Sequence, residues 1–367
     1  VIEARTDVVG SLLRPPELLE AQERFAAGEL SAAELERVED RAVDEAIRLQ
    51  EDVGLDVVTD GEMRRLSFQS QLPAAVDGFG TWNLDAFLWG EWRSDELGDL
   101  VVERPPLGVV AKLRRRRFLT AEEVAYARGR TDRILKVTLP SPSLFANFYE
   151  PERSREAYPT LEDFLVDVAE LLRDEVDELV RLGVTYVQLD APHYPLLLDP
   201  RYRDFYASRG WPAERWLALG LELDNLVIGD RPGVTFGFHL CRGNQASRWL
   251  VEGDYGWLAE QVFPRVRAQR LLLEYDDERS GGFEPLAAVP EDTHVVLGLV
   301  TTKSGRRETP EQLIARIREA ARVIPLERLA LSPQCGFATS VLGNALTRED
   351  EEAKLRTIVE TAGLVWS

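Results

Sequence analysis

Apolar residues fall along this chain in two alternating patterns. Near-continuous aliphatic and β-branched runs recur at 7–11, 57–62, 135–141, 184–191, 234–241, 271–275, 295–303 and 329–335. Runs of this kind, without polar alternation, mark strands that are covered on both faces. Most of the intervals carry apolar residues at helical spacing. In the first, over about 31–53, Leu35, Val38, Ala42, Leu49 and Val53 form one stripe. Ser31 and Glu34 make an S-x-x-E capping box in front of it, and Gly54 stands where a helix ends. The same grammar returns at 161–183, which ends on Gly183, and at 310–325, which Pro310 opens and Pro325 closes. A last helix is expected from Thr347 to about Leu364, with an acidic first turn.

Alternating strand and helix is the pattern of an α/β protein. Eight strands with helices between them predict a (β/α)8 TIM barrel, one catalytic domain over 1–367. The rival, an open doubly wound sheet, usually carries a phosphate-binding glycine loop after an early strand. Neither G-x-G-x-x-G nor a Walker sequence is present. Residues 80–118 break the rhythm with Trp82, Trp89, Trp92, the run Leu100-Val101-Val102 and the basic stretch Arg114 to Arg117. They read as an insertion after the second strand, with a β-hairpin in it. A basic run is ordinarily a solvated face, and a lid or partner-binding arm is the functional alternative.

Composition narrows the partners. The chain has 367 residues and a formal net charge of −20. That charge argues against nucleic acid, which needs a basic face, and against anionic membrane surfaces. No uncharged apolar run approaches the ~20 residues of a membrane span. The first residues, Val1 to Arg5, lack a signal-peptide pattern, so a cytoplasmic protein is expected.

The chemistry gathers at the strand ends, where barrels of this type keep their catalytic groups. In order these ends carry Ser11, Asp60 and Glu62, Ser141, Asp190, His239 and Cys241, Glu274, Lys303, and Cys335. Both of the chain's two cysteines are among them. A buried small hydrophobe is the ordinary fate of such a cysteine, but it does not explain why both sit at strand ends. His239 and Cys241 are two apart on a strand, so their side chains leave the same face. A barrel brings Glu274 and Cys335 to the same rim. An imidazole, two thiolates and a carboxylate suit tetrahedral zinc.

At these residues the chain resembles the catalytic barrel of the cobalamin-independent methionine synthase family, across nearly its whole length and most weakly over 80–130. The resemblance implies zinc on His239, Cys241, Glu274 and Cys335. It places the carboxylate of homocysteine on Val9-Gly10-Ser11 and its amino group between Glu62 and Asp190. An aromatic that stacks on the pterin of the donor falls on Phe148. Several positions depart from the family pattern. Lys303 stands where a proton-donating histidine is usual. Asp190-Ala191-Pro192 replaces Asp-Glu-Pro and is followed by His193. Leu139-Pro140-Ser141-Pro142 replaces the usual turn after the third strand. Full-length members carry two barrels, and 367 residues suffice for the catalytic one.

The resemblance therefore implies methyl transfer from 5-methyltetrahydrofolate, or a related donor, to a homocysteine-like thiol. Lys303 and His193 are the candidates to protonate the departing nitrogen. Lys303 could equally be a salt-bridged rim lysine, and His193 a satisfied loop histidine. Zinc-dependent alkyl transfer of the epoxyalkane:coenzyme M type is the alternative, with Arg14, Arg64, Arg65 and Arg242 available to a sulfonate. A barrel zinc hydrolase would favour histidine and carboxylate ligands, and this chain has three histidines in all. A non-catalytic, metal-stabilised scaffold would leave Glu62 and Asp190 without a purpose.

Overall fold

The computed structural model describes residues 2–81, 84, 89–105 and 107–366. Its strands, in chain order, are β1 (Val57–Val58), β2 (Val76–Phe79), β3 (Gly90–Trp92), β4 (Leu100–Val102), β5 (Val109–Arg115), β6 (Ile134–Pro140), β7 (Tyr186–Asp190), β8 (Thr235–Leu240), β9 (Arg270–Glu274), β10 (His294–Val300) and β11 (Leu329–Pro333). Seven of them form one parallel sheet in the order β1-β6-β7-β8-β9-β10-β11. Four helices lie along it: Ala32–Val53 before β1, Leu161–Arg181 before β7, Ala213–Ile228 before β8 and Pro310–Ala320 before β11. Every residue of β7, β8, β9 and β11 is buried, which explains their unbroken apolar character.

The helix ends follow local chemistry. Ser31 and Glu34 form the capping box of Ala32–Val53, and Gly54 closes it at φ 92°. Capping boxes also open Pro310–Ala320, through Thr309 and Gln312, and the final helix Arg348–Val365, through Thr347 and Asp350.

The structure departs from the expected closed barrel at its first strand. The segment 7–11 forms no regular strand. It belongs to a stretch that makes one parallel bridge to the sheet, between Thr6 and Leu331 of β11. Toward β1 a side chain replaces the ladder. The Asp56 carboxylate accepts the backbone N–H of Arg5 at 2.8 Å and of Thr6 at 2.9 Å. Inside the sheet, Asp7 accepts from Lys136 Nζ at 2.8 Å and from the Tyr186 hydroxyl at 2.8 Å, with Arg270 at 3.5 Å. Side-chain bonds thus hold this segment between β11 and β1, where an eighth strand was expected. No backbone ladder is needed for that, and so its regular hydrogen bonding is sparse.

The interruption is built from two antiparallel ribbons, β2 with β5 and β3 with β4. It begins at Val76, slightly earlier than its sequence suggests. The basic run follows β5 outward, where Arg114 and Arg116 pair with Asp77 and Arg115 with Asp174. Trp82 lies outside the described residues. Among those described, no helix is long and apolar enough to cross a membrane.

Two predictions follow from the way the N-terminal segment is held. Removing one member of a buried ion pair strands the other, so Lys136→Ala is expected to cost about 3 kcal/mol or more in urea unfolding. Glu351, on the last helix, accepts the Leu13 N–H at 2.8 Å, and burial raises its carboxyl to about 8. The folded state therefore keeps this proton while the unfolded chain has lost it. Stability from this group is complete at acid pH and is lost as pH rises toward 8. Between pH 5 and 8, the wild type should lose up to about 1.4 kcal/mol per pH unit relative to Glu351→Gln. Equal slopes in denaturant titrations would contradict this.

Candidate metal centre and active-site cleft

The ends of β8 and β11 converge on one point. Imidazole and thiol donor atoms of His239, Cys241 and Cys335 all lie within 4.8 Å of one another, and all three residues are buried. His239 Nε2 is 3.7 Å from Cys335 Sγ. On the other side of the ring, Nδ1 lies 3.3 Å from the Leu272 carbonyl. A carbonyl can only accept, so Nδ1 carries the hydrogen and Nε2 presents its lone pair to the sulfurs. This is the tautomer a metal ligand needs, fixed by its outer partner. The hydrogen bond from Cys335, with His239 beside it, draws the Cys241 thiol well below its ordinary range. Cys241 pushes Cys335 the opposite way. The donors of this set fit a soft divalent metal.

The trio forms part of the wall of a cleft of about 850 Å³. Gly10, Ser11, Glu62 and Asp190 line the same cleft. Glu62 Oε1 accepts from Thr138 Oγ1 at 2.7 Å, with Arg65 at 3.6 Å, while its buried Oε2 has no partner. Gly10 must be glycine for this, because an added Cβ would stand 2.5 Å from Glu62 Oε1. Asp190 faces His239 in register across β7 and β8 and accepts from Gln188 Nε2 at 2.7 Å. Burial raises its carboxyl to about 7, against the pull of His239 and with the push of Glu62. Phe68, Trp89, Trp92, Leu144, Leu196 and Leu250 give the rest of the cleft an apolar lining.

This arrangement coincides with a whole-chain match. A family profile described as "Cobalamin-independent synthase, Catalytic domain" covers residues 4–363. The chain belongs to that family. It is 34% identical over 365 residues to the uncharacterized protein YxjH of Bacillus subtilis (strain 168), covering 99% of this chain and 94% of that one. It is 26% identical over 334 residues to a methionine synthase of Pyrococcus abyssi, covering 90% of this chain and 86% of the relative. Against a 5-methyltetrahydropteroyltriglutamate–homocysteine methyltransferase of Rhodococcus jostii the identity is 28%, and 43% of that longer protein is spanned. Among solved structures, a putative vitamin-B12-independent methionine synthase from Listeria monocytogenes superposes with a TM-score of 0.75 at 26% identity, covering 100% of this chain and 99% of that one. The family is one of methionine-synthase-like methyltransferases.

The other expected site residues stand less simply within this synthase-like frame. Glu274 lies on the next strand but outside the group of three. Its Oε2 accepts the Arg242 N–H at 2.9 Å and its Oε1 accepts from Lys303 Nζ at 3.0 Å. Lys303 also reaches Asp276 at 3.3 Å. Burial alone would lower this ammonium, but Asp276 and Glu274 outweigh it and hold its pKa above the ordinary lysine value. Lys303 is therefore a salt-bridged rim lysine, a poor proton donor, and it lines a neighbouring groove rather than the cleft. His193 does line the cleft, fully buried, and burial lowers it to about 3, so it is neutral. Phe148 packs into the core against Phe79 and Phe145. Leu144 and Asn147 of the same turn line the cleft instead.

The four arginines near the strand ends are engaged elsewhere. Arg14 donates to the carbonyls of Ala338, Ser340, Glu62 and Arg65. Arg65 is engaged by Glu123 and Thr138, and Arg242 by the Gly253 and Glu274 carbonyls. Arg64 pairs with Glu39 and Asp40. None of the four lines the cleft among the described residues. Their closeness to strand ends was visible in the sequence. Which carbonyls and acids claim them was not, because those partners lie on other loops.

Proposed function

We propose that this chain is a zinc-dependent thiol methyltransferase that makes methionine from homocysteine. Its methyl donor is 5-methyltetrahydrofolate or a related carrier. The carrying observation is the buried His239, Cys241 and Cys335 group in one cleft with Glu62 and Asp190. These three residues would hold the zinc. Glu274 would join as fourth ligand by giving up its bond to Lys303 or to the Arg242 amide. Bound zinc would supply a Lewis acid that keeps a substrate thiol deprotonated at neutral pH.

The chain's own groups account for substrate choice. The free Oε2 of Glu62 and the carboxyl of Asp190 suit an ammonium group. The Gly10-Ser11 turn, held by the Phe337 N–H on the Ser11 carbonyl at 2.8 Å, is the seat of the amino acid's carboxylate. The apolar wall suits the body of a methyl carrier and keeps water from the thiolate. We read residues 1–367 as one domain of the (β/α)8 type with the ribbons as its insertion, acting in the reducing cytoplasm on small molecules, without nucleic acid or membrane. A sulfonate thiol, as in coenzyme M chemistry, fits less well. No lysine or arginine lines the cleft among the described residues, and none occurs at positions 82, 83, 85–88 or 106.

Zinc-loaded protein should convert homocysteine to methionine, read by mass spectrometry, with at least one donor from a panel of methylfolates and methylcobalamin. Cys241→Ser and Cys335→Ser should each bind zinc about 100-fold more weakly or worse and lose activity. Glu62→Gln should raise the KM for homocysteine by about 10- to 100-fold with zinc retained. Zinc retained in both cysteine variants would overturn the ligand set. Tight binding of a sulfonate thiol that survives Glu62→Gln would favour the coenzyme M reading.

A further inference from the structure

A buried chain of hydrogen bonds ends at the cleft wall, which His193 lines and Lys303 does not. His193 Nε2 is 2.7 Å from Ser143 Oγ. Ser143 Oγ is 3.2 Å from the Tyr194 hydroxyl and 3.3 Å from Ser141 Oγ. Tyr194 and Ser141 both reach the carboxylate of Asp224, at 2.6 Å and 2.7 Å. All five residues are fully buried. The other ring nitrogen, His193 Nδ1, has no partner although it is buried, and His193 lines the cleft.

The chain is a built feature and costs the fold something. Asp224 sits within the helix Ala213–Ile228 and points inward without a counter-charge. Burial lifts it to about 7, against the hydrogen bonds from Tyr194 and Ser141, and no charged group contributes. Four residues before it, Gly220 interrupts the same helix. A Cβ there would collide with the Tyr194 hydroxyl and with Ser143 Oγ, so the glycine makes room for the chain. Glycine inside a helix and an unpaired buried carboxyl are both destabilising.

We propose that His193 is the proton donor to the nitrogen that loses its methyl group, supplied through Ser143 and Tyr194 from Asp224. The inference rests on the thiol methyltransferase reading and adds the chemical class of donor, a methyl group carried on an amine nitrogen. The sulfur–carbon bond forms as the nitrogen–carbon bond breaks, and the bonding pair stays on nitrogen. The Nδ1 proton moves to that nitrogen. Nε2 takes the proton of Ser143, Ser143 that of Tyr194, and Tyr194 that of Asp224, which starts as the neutral acid donating to Tyr194 and ends as the carboxylate that accepts from Tyr194 at 2.6 Å. His193 is neutral throughout, so its low basicity is no obstacle. The proton is stored on the acid and only passed by the imidazole. His193 is then the catalytic residue, and Ser143, Tyr194 and Asp224 are positioning residues.

The test uses two methyl donors, one whose leaving group needs a proton and one whose leaving group does not. Methyl iodide leaves as iodide and needs none, whereas 5-methyltetrahydrofolate must have its nitrogen protonated. Single-turnover methylation of homocysteine is measured with both on zinc-loaded protein, after zinc content is checked. His193→Gln should slow transfer from the folate by about 100-fold or more and leave methyl iodide within about twofold. Tyr194→Phe and Asp224→Asn should show the same split at smaller size. Equal losses with both donors, or no loss with either, would overturn the relay. So would a wild-type protein that reacts with methyl iodide but not with the folate. Failure of the wild type with both donors, zinc bound, would overturn the methyltransferase reading and the relay with it.

Discussion

The buried pairing of Asp7 with Lys136 is the interaction on which the architecture turns. Lys136 on β6 also donates to the Val8 carbonyl and, at 2.7 Å, to Gln188 on β7. Gln188 in turn donates to the Val9 carbonyl at 2.8 Å and to Asp190 at 2.7 Å. One ammonium therefore fixes the N-terminal segment, and one amide carries that register to a cleft carboxylate. A hydrophobic pair in the same place would pack as well and could be more stable. It would not set the height of Gly10 and Ser11 against Asp190. The cluster is better understood as a registration device than as a source of stability.

The three gathered donors and their surroundings form one side of the cleft, and the rest of its wall differs in character. On one side the buried Glu62 Oε2 has no partner, and the donors of His239, Cys241 and Cys335 are already gathered. Elsewhere the lining is largely apolar, with Gln69, Asn147, His193, Asn244 and Thr339 among it. The structure explains why Lys303 cannot simply stand in for a histidine. Two acids hold it as an ammonium, turned toward the neighbouring groove and bonded to Glu274. Its charge offsets those acids instead of serving the cleft. Among the described residues, His193 lines the cleft where Lys303 does not.

Much of this was legible in the sequence, for identifiable reasons. His239 and Cys241 alternate on one strand, so period two alone places them on one face. Cys335 at another strand end needed only the fold class. The helices were legible because caps and stripes are local: Ser31 with Glu34, Thr347 with its acidic turn. The first strand was not, because Thr6 and Asp7 are held by Asp56 and Lys136, from 50 or more residues away. Nor was the state of Glu274, whose two oxygens have competing partners from β10's following loop and from the residue after Cys241. The placing of Phe148 in the core was not legible either, because a turn offers several aromatic and apolar side chains to either side. Periodicity does not say which faces the cleft.

The last constraint concerns Glu62. It follows Gly61 in a turn with φ 56°, in the left-handed region that side chains rarely adopt. Such a conformation costs on the order of 1–3 kcal/mol and persists only when its surroundings fix it. Here they do so from three directions. Asp60 accepts the Glu62 N–H at 2.9 Å, Thr138 and Arg65 hold Oε1, and Arg14 takes the Glu62 carbonyl at 3.0 Å. Arg14 also holds the carbonyls of Ala338 and Ser340, so the loop that carries Cys335 and the turn that carries Glu62 share one guanidinium. Burial lowers Arg14 to about 10, which still leaves it charged at neutral pH. A buried cation bonded to carbonyls from two separate loops resists any motion of one loop relative to the other. The strain at Glu62 is thus coupled to the position of Cys335, one of the three gathered donors. The partnerless Oε2 of Glu62 is therefore held at a set distance from the sulfur of Cys335.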